Sequence, residues 1–273
     1  MSRLAALLQL NRPLVMGILN ITPDSFSDGG RFLETESALI HARQMLEDGA
    51  DIIDIGGEST RPGAQQVTED EEINRILPVV QALRKEFDVA ISLDTSKAAV
   101  MNAAIPEDID LINDVRALQE RGTLEVVAAS QLPVCLMHMK GEPRNMQEAP
   151  HYDNLVQEVA EFFRERIRAC EQAGIKRERL ILDIGFGFGK TPEHNLTLLN
   201  RLSDFGGFEM PLLVGLSRKS TIGKIVDDRL TGSLSGGLAA VSRGARLLRV
   251  HDVAETVAAL KVWRSIEQEQ VMV

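Results

Sequence analysis

The chain has 273 residues, of which 44% are apolar and 26% charged, so it has enough apolar material for a core and is not intrinsically disordered. Its formal net charge of −10 argues against a surface that binds nucleic acid or an anionic membrane. The length suits a single domain of the larger α/β kind, and we treat residues 1–273 as one domain.

The first strong pattern is an apolar run that ends in a segment rich in turn residues. Residues 14–19 are almost all apolar, as in a strand covered on both faces of a parallel sheet, and Asn20 follows at its carboxyl end. Residues 22–30 are rich in Pro, Asp, Ser and Gly, which favour turns. Phe26 is a large aromatic within this polar segment. It indicates a functional loop that closes over a ligand.

A strand-like pattern followed by a helix-like pattern recurs eight times. The predicted strands are 14–19, 51–56, 90–94, 111–114, 133–139, 180–185, 211–217 and 247–252. The predicted helices are 34–48, 68–87, 95–105, 123–130, 152–173, 192–205, a helical stretch up to 244, and 253–268. Thr68 and Glu71 resemble a capping box at the start of the second helix. Eight such units indicate a single closed (β/α)8 TIM barrel, and a doubly wound sheet is the alternative because periodicity does not show closure.

Two features indicate a cytoplasmic protein. The first ten residues lack the long apolar segment of a secretory signal, and no apolar run approaches the roughly twenty residues that span a membrane. Cys135 and Cys170 have neither CxxC nor metal-ligand spacing. We expect buried thiols in a reducing compartment rather than a disulfide.

The most informative polar residues share one kind of position, at or just past the carboxyl ends of seven predicted strands. Any one of them could be a strand-end cap or a surface charge. Active sites of barrels are built from these strand ends, so their recurrence favours a shared site. They are Asn20, Thr60, Arg61, Asp94, Asn113, Asp183, Ser217, Lys219, Arg249 and His251.

These residue types suit a flat heterocycle that carries phosphate groups. Asp94 and Asp183 can accept paired N–H donors from a ring such as a pterin or purine, and Asn113 can both donate and accept at the ring's edge. Cationic donors suited to a phosphate-like group are Arg61, Arg249 and His251. A diphosphate leaving group fits these demands.

The remaining candidates suggest a metal ion and a second ligand. Asn20 offers a neutral oxygen to a hard ion such as Mg²⁺ that keeps most of its water. Lys219 and Ser220 stand where the seventh strand gives way to a helix, whose backbone N–H groups attract a carboxylate or phosphate. Phe26 and Phe188 could enclose this smaller anionic substrate.

Two other patterns carry less weight. The segment GFGFGK (185–190) has neither the GxGxxG nor the GxxxxGK[ST] spacing of nucleotide loops, so we assign it no cofactor. The histidines show no metal-binding spacing. Only His251, at a strand end beside Arg249, is a functional candidate.

A series of longer motifs occurs in one order along the chain. GILNITPDSFSDGG (17–30) and GGESTRPGA (56–64) come first, and LDTSK, IND, MHMKGEPRNMQ, LDIGFGFGK, GLSRKS and RVHDV follow. The sequence closely resembles the dihydropteroate synthase family of the folate pathway, in which these motifs have the same order. The resemblance covers almost the whole chain and is far more specific than a lone glycine motif.

The resemblance implies an enzyme that condenses 6-hydroxymethyl-7,8-dihydropterin diphosphate with 4-aminobenzoate, giving 7,8-dihydropteroate and diphosphate. It also implies Mg²⁺ and a homodimer. The pterin pocket would contain Asp94, Asn113, Met137, Asp183, Gly215 and Lys219. Thr60, Arg249 and His251 would contact the diphosphate, with Asn20 beside the metal. The arylamine pocket would contain Phe26, Arg61, Pro62, Phe188, Ser217 and Ser220, and the implied catalytic residues are Arg61, Asp94, Lys219, Arg249 and His251.

The expected chemistry follows from the weak nucleophilicity of an arylamine. Diphosphate would leave first, and the arylamine would attack the resulting ring-stabilised cation, with mainly electrostatic catalysis. One alternative is a pterin-dependent methyltransferase with a similar barrel, against which the TPDSFSDGG and SRKS motifs argue. Another is a catalytically silent pterin-binding barrel, against which the retained charged residues argue. Sulfonamide drugs would be expected to compete for the arylamine pocket.

Overall fold

Eight parallel strands close into a barrel in which each strand pairs with the next along the chain and the eighth pairs with the first. The computed structural model describes residues 2–21, 31–59, 67–141, 146 and 149–271. Its strands are β1 Leu14–Asn20, β2 Ile52–Gly56, β3 Ala90–Asp94, β4 Leu111–Asp114, β5 Val134–Met137, β6 Leu180–Asp183, β7 Leu212–Val214 and β8 Ala245–Val250. The α-helices are α1 Arg3–Leu8, α2 Arg31–Glu47, α3 Glu69–Glu86, α4 Ala98–Ala104, α5 Thr123–Ser130, α6 Leu155–Gln172, α7 Pro192–Asn200, α8 Ser220–Gly223, α9 Arg229–Val241 and α10 Val253–Glu267.

The predicted (β/α)8 barrel is confirmed, because the pairing of β1 with β8 closes the sheet and excludes the doubly wound alternative. The capping box is also confirmed: the Thr68 hydroxyl accepts from the backbone N–H of Glu71, and the Glu71 carboxylate accepts from that of Thr68. This pairing satisfies two N–H groups that a helix otherwise leaves free at its amino end.

The differences from prediction lie mainly in the last third of the chain. The helix predicted at 192–205 ends at Asn200 and continues as a 3₁₀ helix, Leu202–Phe208, whose two glycines disfavour an α-helix. The helical stretch up to 244 is divided into α8 and α9. Asp228 divides it, because its carboxylate accepts from the backbone N–H groups at the start of α9.

The inward side chains change from apolar to polar along the strands. Alternate residues of a strand point to opposite faces, so residues two apart share the interior of the barrel. Near the amino ends of the strands, the inward residues form one buried apolar cluster: Leu14, Met16, Ile52, Ala90, Leu111, Cys135, Ile181, Leu213 and Leu247. Two positions further along four of these strands stand Asp54, Asn113, Asp183 and Arg249. The lower half of the barrel is therefore a packed core, and the upper half is polar.

The short helix α1 closes the lower end of the barrel. Leu4 is 0% exposed and joins the inner apolar cluster. Arg246 Nη2 donates to the carbonyl oxygens of Leu7, Leu8 and Leu10, at and just past the carboxyl end of α1, and so ties this end of the helix to β8. Sequence analysis did not predict α1, because six residues give too little periodicity to recognise.

Two further predictions concern the cysteines and membrane association. Cys135 and Cys170 are free and buried, as expected. Within the described ranges, the structure has no helix that combines the length and apolar character needed to cross a bilayer.

Replacement of Leu4 by alanine tests the contribution of α1. Leu4→Ala should lower the free energy of unfolding by about 2–4 kcal/mol, because it leaves a cavity at the base of the inner cluster. Leu10→Ala is the matched control, since Leu10 is 42% exposed and its truncation should change stability by less than about 0.5 kcal/mol. Urea denaturation followed by circular dichroism measures both. Equal losses for the two variants would contradict the role of Leu4 as a plug.

Candidate active site

The centre of the site is an ion pair network inside the upper half of the barrel. Arg249 on β8 donates through Nε to Asp54 Oδ2 at 2.6 Å and through Nη2 to Asp94 Oδ2 at 2.7 Å. Asp54 lies on β2 and is 0% exposed, and Asp94 ends β3. Burial opposes the charge of Arg249, but the two carboxylates outweigh it and raise the pKa of Arg249 above its usual value. Arg249 therefore stays charged. It lies at the base of the mouth, by which we mean the open end of the barrel where the carboxyl ends of the strands meet.

Asp54 also contacts Asn113 at the end of β4. Asn113 Nδ2 lies 3.4 and 3.3 Å from the two carboxylate oxygens of Asp54, and the side chain is buried. The amide group is thereby oriented with its nitrogen towards Asp54, which leaves its carbonyl oxygen as an acceptor for a ligand. One buried carboxylate thus positions two predicted site residues.

Asp94 has an unusual acidity. Burial raises the pKa of Asp94 to about 7, the charge of Arg249 opposes this rise, and the neighbouring carboxylate of Asp54 adds to it. A carboxyl group with this pKa exists in both protonation states near neutral pH. Perturbed groups of this kind concentrate at functional sites.

The opposite wall of the mouth holds a lysine and a carboxylate. Burial lowers the pKa of Lys219 to about 8, and Asp183 opposes this shift. Lys219 Nζ donates to the carbonyl oxygen of Phe186 at 2.5 Å and lies 4.5 Å from the centre of the Phe188 ring. Asp183 Oδ1 accepts from the backbone N–H of Gly185 at 2.7 Å, and burial raises the pKa of Asp183. Lys219 therefore lies beside the ring of Phe188 and interacts electrostatically with Asp183.

The other predicted residues of the mouth complete the wall between β5 and β8. Met137 is buried and lies beside Asp183 in the strand register. A Cβ placed on Gly215 would lie 3.6 Å from Arg249 Cβ, an ordinary van der Waals distance, so Gly215 lies directly beside Arg249. Ser217 Oγ accepts from the backbone N–H of His251 at 3.2 Å and lies 3.1 Å from His251 Nδ1. The contact links the ends of β7 and β8.

Asn20 stands at the carboxyl end of β1, next to Asp94. A Cβ placed on Gly56 would be 3.7 Å from both Asn20 Oδ1 and Asp94 Oδ2, so both oxygens lie close to the end of β2. Among the residues that the structure describes, no three His, Cys, Asp or Glu side chains gather as metal ligands. The amide oxygen of Asn20 is a ligand type that Mg²⁺ accepts, and this ion keeps several waters and takes other ligands from substrate phosphates.

The remaining predicted residues are less informative. Phe26, Thr60, Arg61 and Pro62 lie outside the described residues. Ser220 is exposed and begins α8, which has only four residues. So short a helix offers a weaker dipole than the sequence pattern suggested.

Sequence analysis missed Asp54, the carboxylate that joins Arg249 to Asn113. The sequence feature that marks Asp54 is a charged residue within the otherwise apolar strand 52–55. Asp54 lies two residues before Gly56, so both positions face the interior of the barrel. The ends of the strands alone do not reveal Asp54, because it lies two residues before the end of β2, one inward position deeper than the mouth.

The chain is similar to known enzymes along most of its length. A family model described as pterin binding enzyme matches residues 16–251. The dihydropteroate synthase of Haemophilus influenzae is 55% identical over 262 residues, which cover 94% of this chain and 95% of that protein.

Two solved structures are similar over the same extent. The Yersinia pestis dihydropteroate synthase in complex with a sulfonamide drug has a TM-score of 0.90 and 52% identity, covering 94% of this chain and 95% of that one. The Xanthomonas albilineans dihydropteroate synthase in complex with 7,8-dihydropteroate has a TM-score of 0.86 and 46% identity, covering 94% of each chain. The chain therefore belongs to the pterin-binding enzymes and, within them, to the dihydropteroate synthase family.

Proposed function

We propose that the protein condenses 6-hydroxymethyl-7,8-dihydropterin diphosphate with 4-aminobenzoate, giving 7,8-dihydropteroate and diphosphate. The observation that carries the proposal is the polar upper half of the barrel, where side chains from four strands, β2, β3, β4 and β8, are joined by one network of hydrogen bonds. Membership of the dihydropteroate synthase family supports the same reaction.

The pterin ring binds across the mouth between Asn113 and Asp183. A pterin presents an amino group and ring N–H groups along one edge, and Asp183 offers a buried carboxylate to accept from them. Asn113 accepts a hydrogen bond from the same ring through its side-chain carbonyl oxygen, which does not face Asp54. Lys219 donates to a ring acceptor, and Phe188 beside it covers one edge of the pocket.

Loss of diphosphate comes before attack by the arylamine. Arg249 and His251 at the end of β8 stabilise the departing negative charge, and Thr60 is assigned to the same group. The ionised form of Asp94 stabilises the positive charge that develops at the exocyclic carbon. The cation is then attacked by the amino group of 4-aminobenzoate, which forms the new C–N bond, and the nitrogen loses a proton to solvent.

The arylamine is assigned to the outer part of the mouth, and the residues proposed to contact it are Phe26, Arg61, Pro62, Phe188, Ser217 and Ser220. Arg61 suits the carboxylate of 4-aminobenzoate because guanidinium groups bind carboxylates in a bidentate manner. Sulfonamide drugs share the arylamine shape, so they compete at this position. Equilibrium binding of a sulfonamide that is unaffected by 4-aminobenzoate would oppose this assignment.

The proposal includes Mg²⁺, with Asn20 as its protein ligand. When bound, the ion would neutralise charge on the diphosphate oxygens. Asn20→Ala should raise the Mg²⁺ concentration needed for half-maximal activity, measured by titration of the metal. An unchanged requirement would remove Asn20 from this role.

A homodimer in the cytoplasm is the proposed state of the protein. Exposed apolar side chains at Ile225, Val226, Val262 and Ile266, ahead of α9 and on α10, offer material for an interface. The buried free thiols suit a reducing compartment. Sedimentation equilibrium should give twice the mass of the chain, and a monomer at micromolar concentration would oppose the dimer. Cell fractionation tests the compartment, and recovery with membranes or outside the cell would oppose it.

An assay of diphosphate release tests the reaction itself. Purified protein, the pterin diphosphate and Mg²⁺ should release diphosphate in an amount that depends on added 4-aminobenzoate, with equal formation of 7,8-dihydropteroate. A silent pterin-binding barrel would bind the pterin without release. A methyltransferase would accept a methylated folate instead. Either result would refute the proposed function.

The pKa values predict a bell-shaped pH dependence of kcat/KM for the pterin diphosphate. Asp94 must be ionised, so activity falls as pH drops below about 7. Lys219 must be charged, so activity also falls as pH rises above about 8. The optimum should therefore lie between these values, as measured by initial rates in buffers of constant ionic strength. A flat profile from pH 6 to pH 9 would contradict these roles.

Asp94→Asn separates catalysis from binding. The variant should lose the acid limb, and its kcat should fall by about a hundredfold while pterin affinity changes by less than about tenfold. Asp110→Asn is the matched control, because Asp110 is also buried and pairs with Arg84 at 2.8 Å, but at the opposite end of the barrel. Its kcat should stay within about twofold of wild type. Equal losses in kcat and affinity for Asp94→Asn would count against the cation-stabilising role.

A further inference from the structure

The loop after β6, GFGFGK (185–190), is organised around the side chain of Lys190, which is 2% exposed. Lys190 Nζ lies 2.8 Å from His138 Nδ1, 3.3 Å from the His138 carbonyl oxygen, and 3.0 Å from the carbonyl oxygens of both Gly185 and Phe188. Three of these neighbours can only accept, and an ammonium has three donors to offer them. The site is built for a charged amine.

The fourth neighbour, the ring of His138, is also an acceptor. Burial lowers the pKa of His138 to about 2, and the charge of Lys190 adds to the shift, so the ring is neutral. The ring packs edge-on against Phe162 with their centres 4.9 Å apart. Because Nδ1 faces the ammonium, we place the ring proton on Nε2. Burial lowers the pKa of Lys190 well below its usual value, Asp183 opposes this shift, and the charge of Lys219 adds to it. The four acceptors around Nζ favour the charged form, since each can accept from an ammonium.

The backbone of the loop lies directly against the segment that follows β5. A Cβ on Gly185 would be 1.8 Å from the carbonyl oxygen of His138, and one on Gly189 would be 2.1 Å from that of Lys140. Both glycines have positive φ, +65° and +62°. The spacing of glycines that resembled a nucleotide loop therefore serves close backbone contact around a buried cation.

This loop supplies the immediate partners of Lys219. The carbonyl oxygen of Phe186 accepts from Lys219 Nζ, and the ring of Phe188 lies beneath it. Lys190 binds the carbonyl groups of Gly185 and Phe188, on either side of Phe186. The buried amine therefore holds the backbone from which both partners of Lys219 project.

We propose that Lys190 is a positioning residue whose buried ammonium fixes the loop that presents the Phe186 carbonyl and the Phe188 ring to Lys219. The consequence for pterin binding rests on the proposed function, which assigns Lys219 to the pterin ring. Lys190 acts on the ligand only through Lys219.

A double-mutant cycle in ligand binding tests this coupling. Calorimetric titration with 6-hydroxymethylpterin is done on wild type, Lys190→Met, Lys219→Met and the double variant. Each single substitution should raise Kd about tenfold or more, and the double variant should exceed Lys219→Met by less than about twofold. If Lys190 only stabilised the fold, Lys190→Met would instead raise Kd by the same factor in wild type and in Lys219→Met.

Tyr152→Phe is the matched control for general damage to the loop. It removes the hydroxyl that donates to the Gly189 carbonyl at 2.8 Å and leaves the Lys190 contacts in place. Its Kd should stay within about twofold of wild type. If Lys190→Met does not fold, Lys190→Gln keeps two N–H donors and takes its place in the cycle.

A readout without pterin separates this inference from the proposed function. Acetic anhydride labelling of Lys219, followed by mass spectrometry, should be about threefold faster or more in Lys190→Met than in wild type or Tyr152→Phe. No binding of the pterin by wild type would refute the function and leave labelling to decide the inference. Unchanged labelling, or a full effect of Lys190→Met on Kd in the Lys219→Met background, would overturn the positioning role.

Discussion

The structure depends on one buried interaction, the pairing of Asp54 with Arg249 inside the barrel. An arginine in such a position needs carboxylate partners, because an unpaired buried charge costs several kcal/mol. Asp54 accepts from Nε and Asp94 from Nη2, so the planar guanidinium is held at two of its nitrogens. Asp54 also orients Asn113, and together these contacts join β2, β3, β4 and β8. The interaction thus sets the geometry of the mouth before any ligand enters.

The barrel separates stability from chemistry along its axis. The inner apolar cluster and the plug formed by α1 supply a rigid lower half, whereas polar and charged groups occupy the inward positions above it. The upper half carries two groups with shifted pKa values, Asp94 and Lys219. Burial raises the pKa of Asp94 and lowers that of Lys219, and the neighbouring opposite charges only partly offset these shifts. The packed lower half allows the strand ends to hold these unfavourable charges in place.

Much of this arrangement could be predicted from sequence. Apolar runs and helix caps locate the eight strand–helix units, and the ends of the strands mark Asp94, Asn113, Asp183 and Arg249. Asp54 was missed because it looks like a polar interruption within a strand, and its meaning depends on which face of β2 is inward. Lys190 was missed because its partners are mainly backbone carbonyls, which leave no trace in side-chain patterns. Contacts between backbone and side chain across separate loops require coordinates.

Asp54 organises the site through Arg249 and Asn113, and calorimetric titration of Asp54→Asn with the pterin diphosphate tests this role most directly. Asparagine keeps the shape of the side chain but leaves Arg249 without one of its carboxylates. We therefore expect the Kd of the variant to rise by about tenfold to a hundredfold relative to wild type. An affinity equal to that of wild type, in a variant that folds normally, would contradict it.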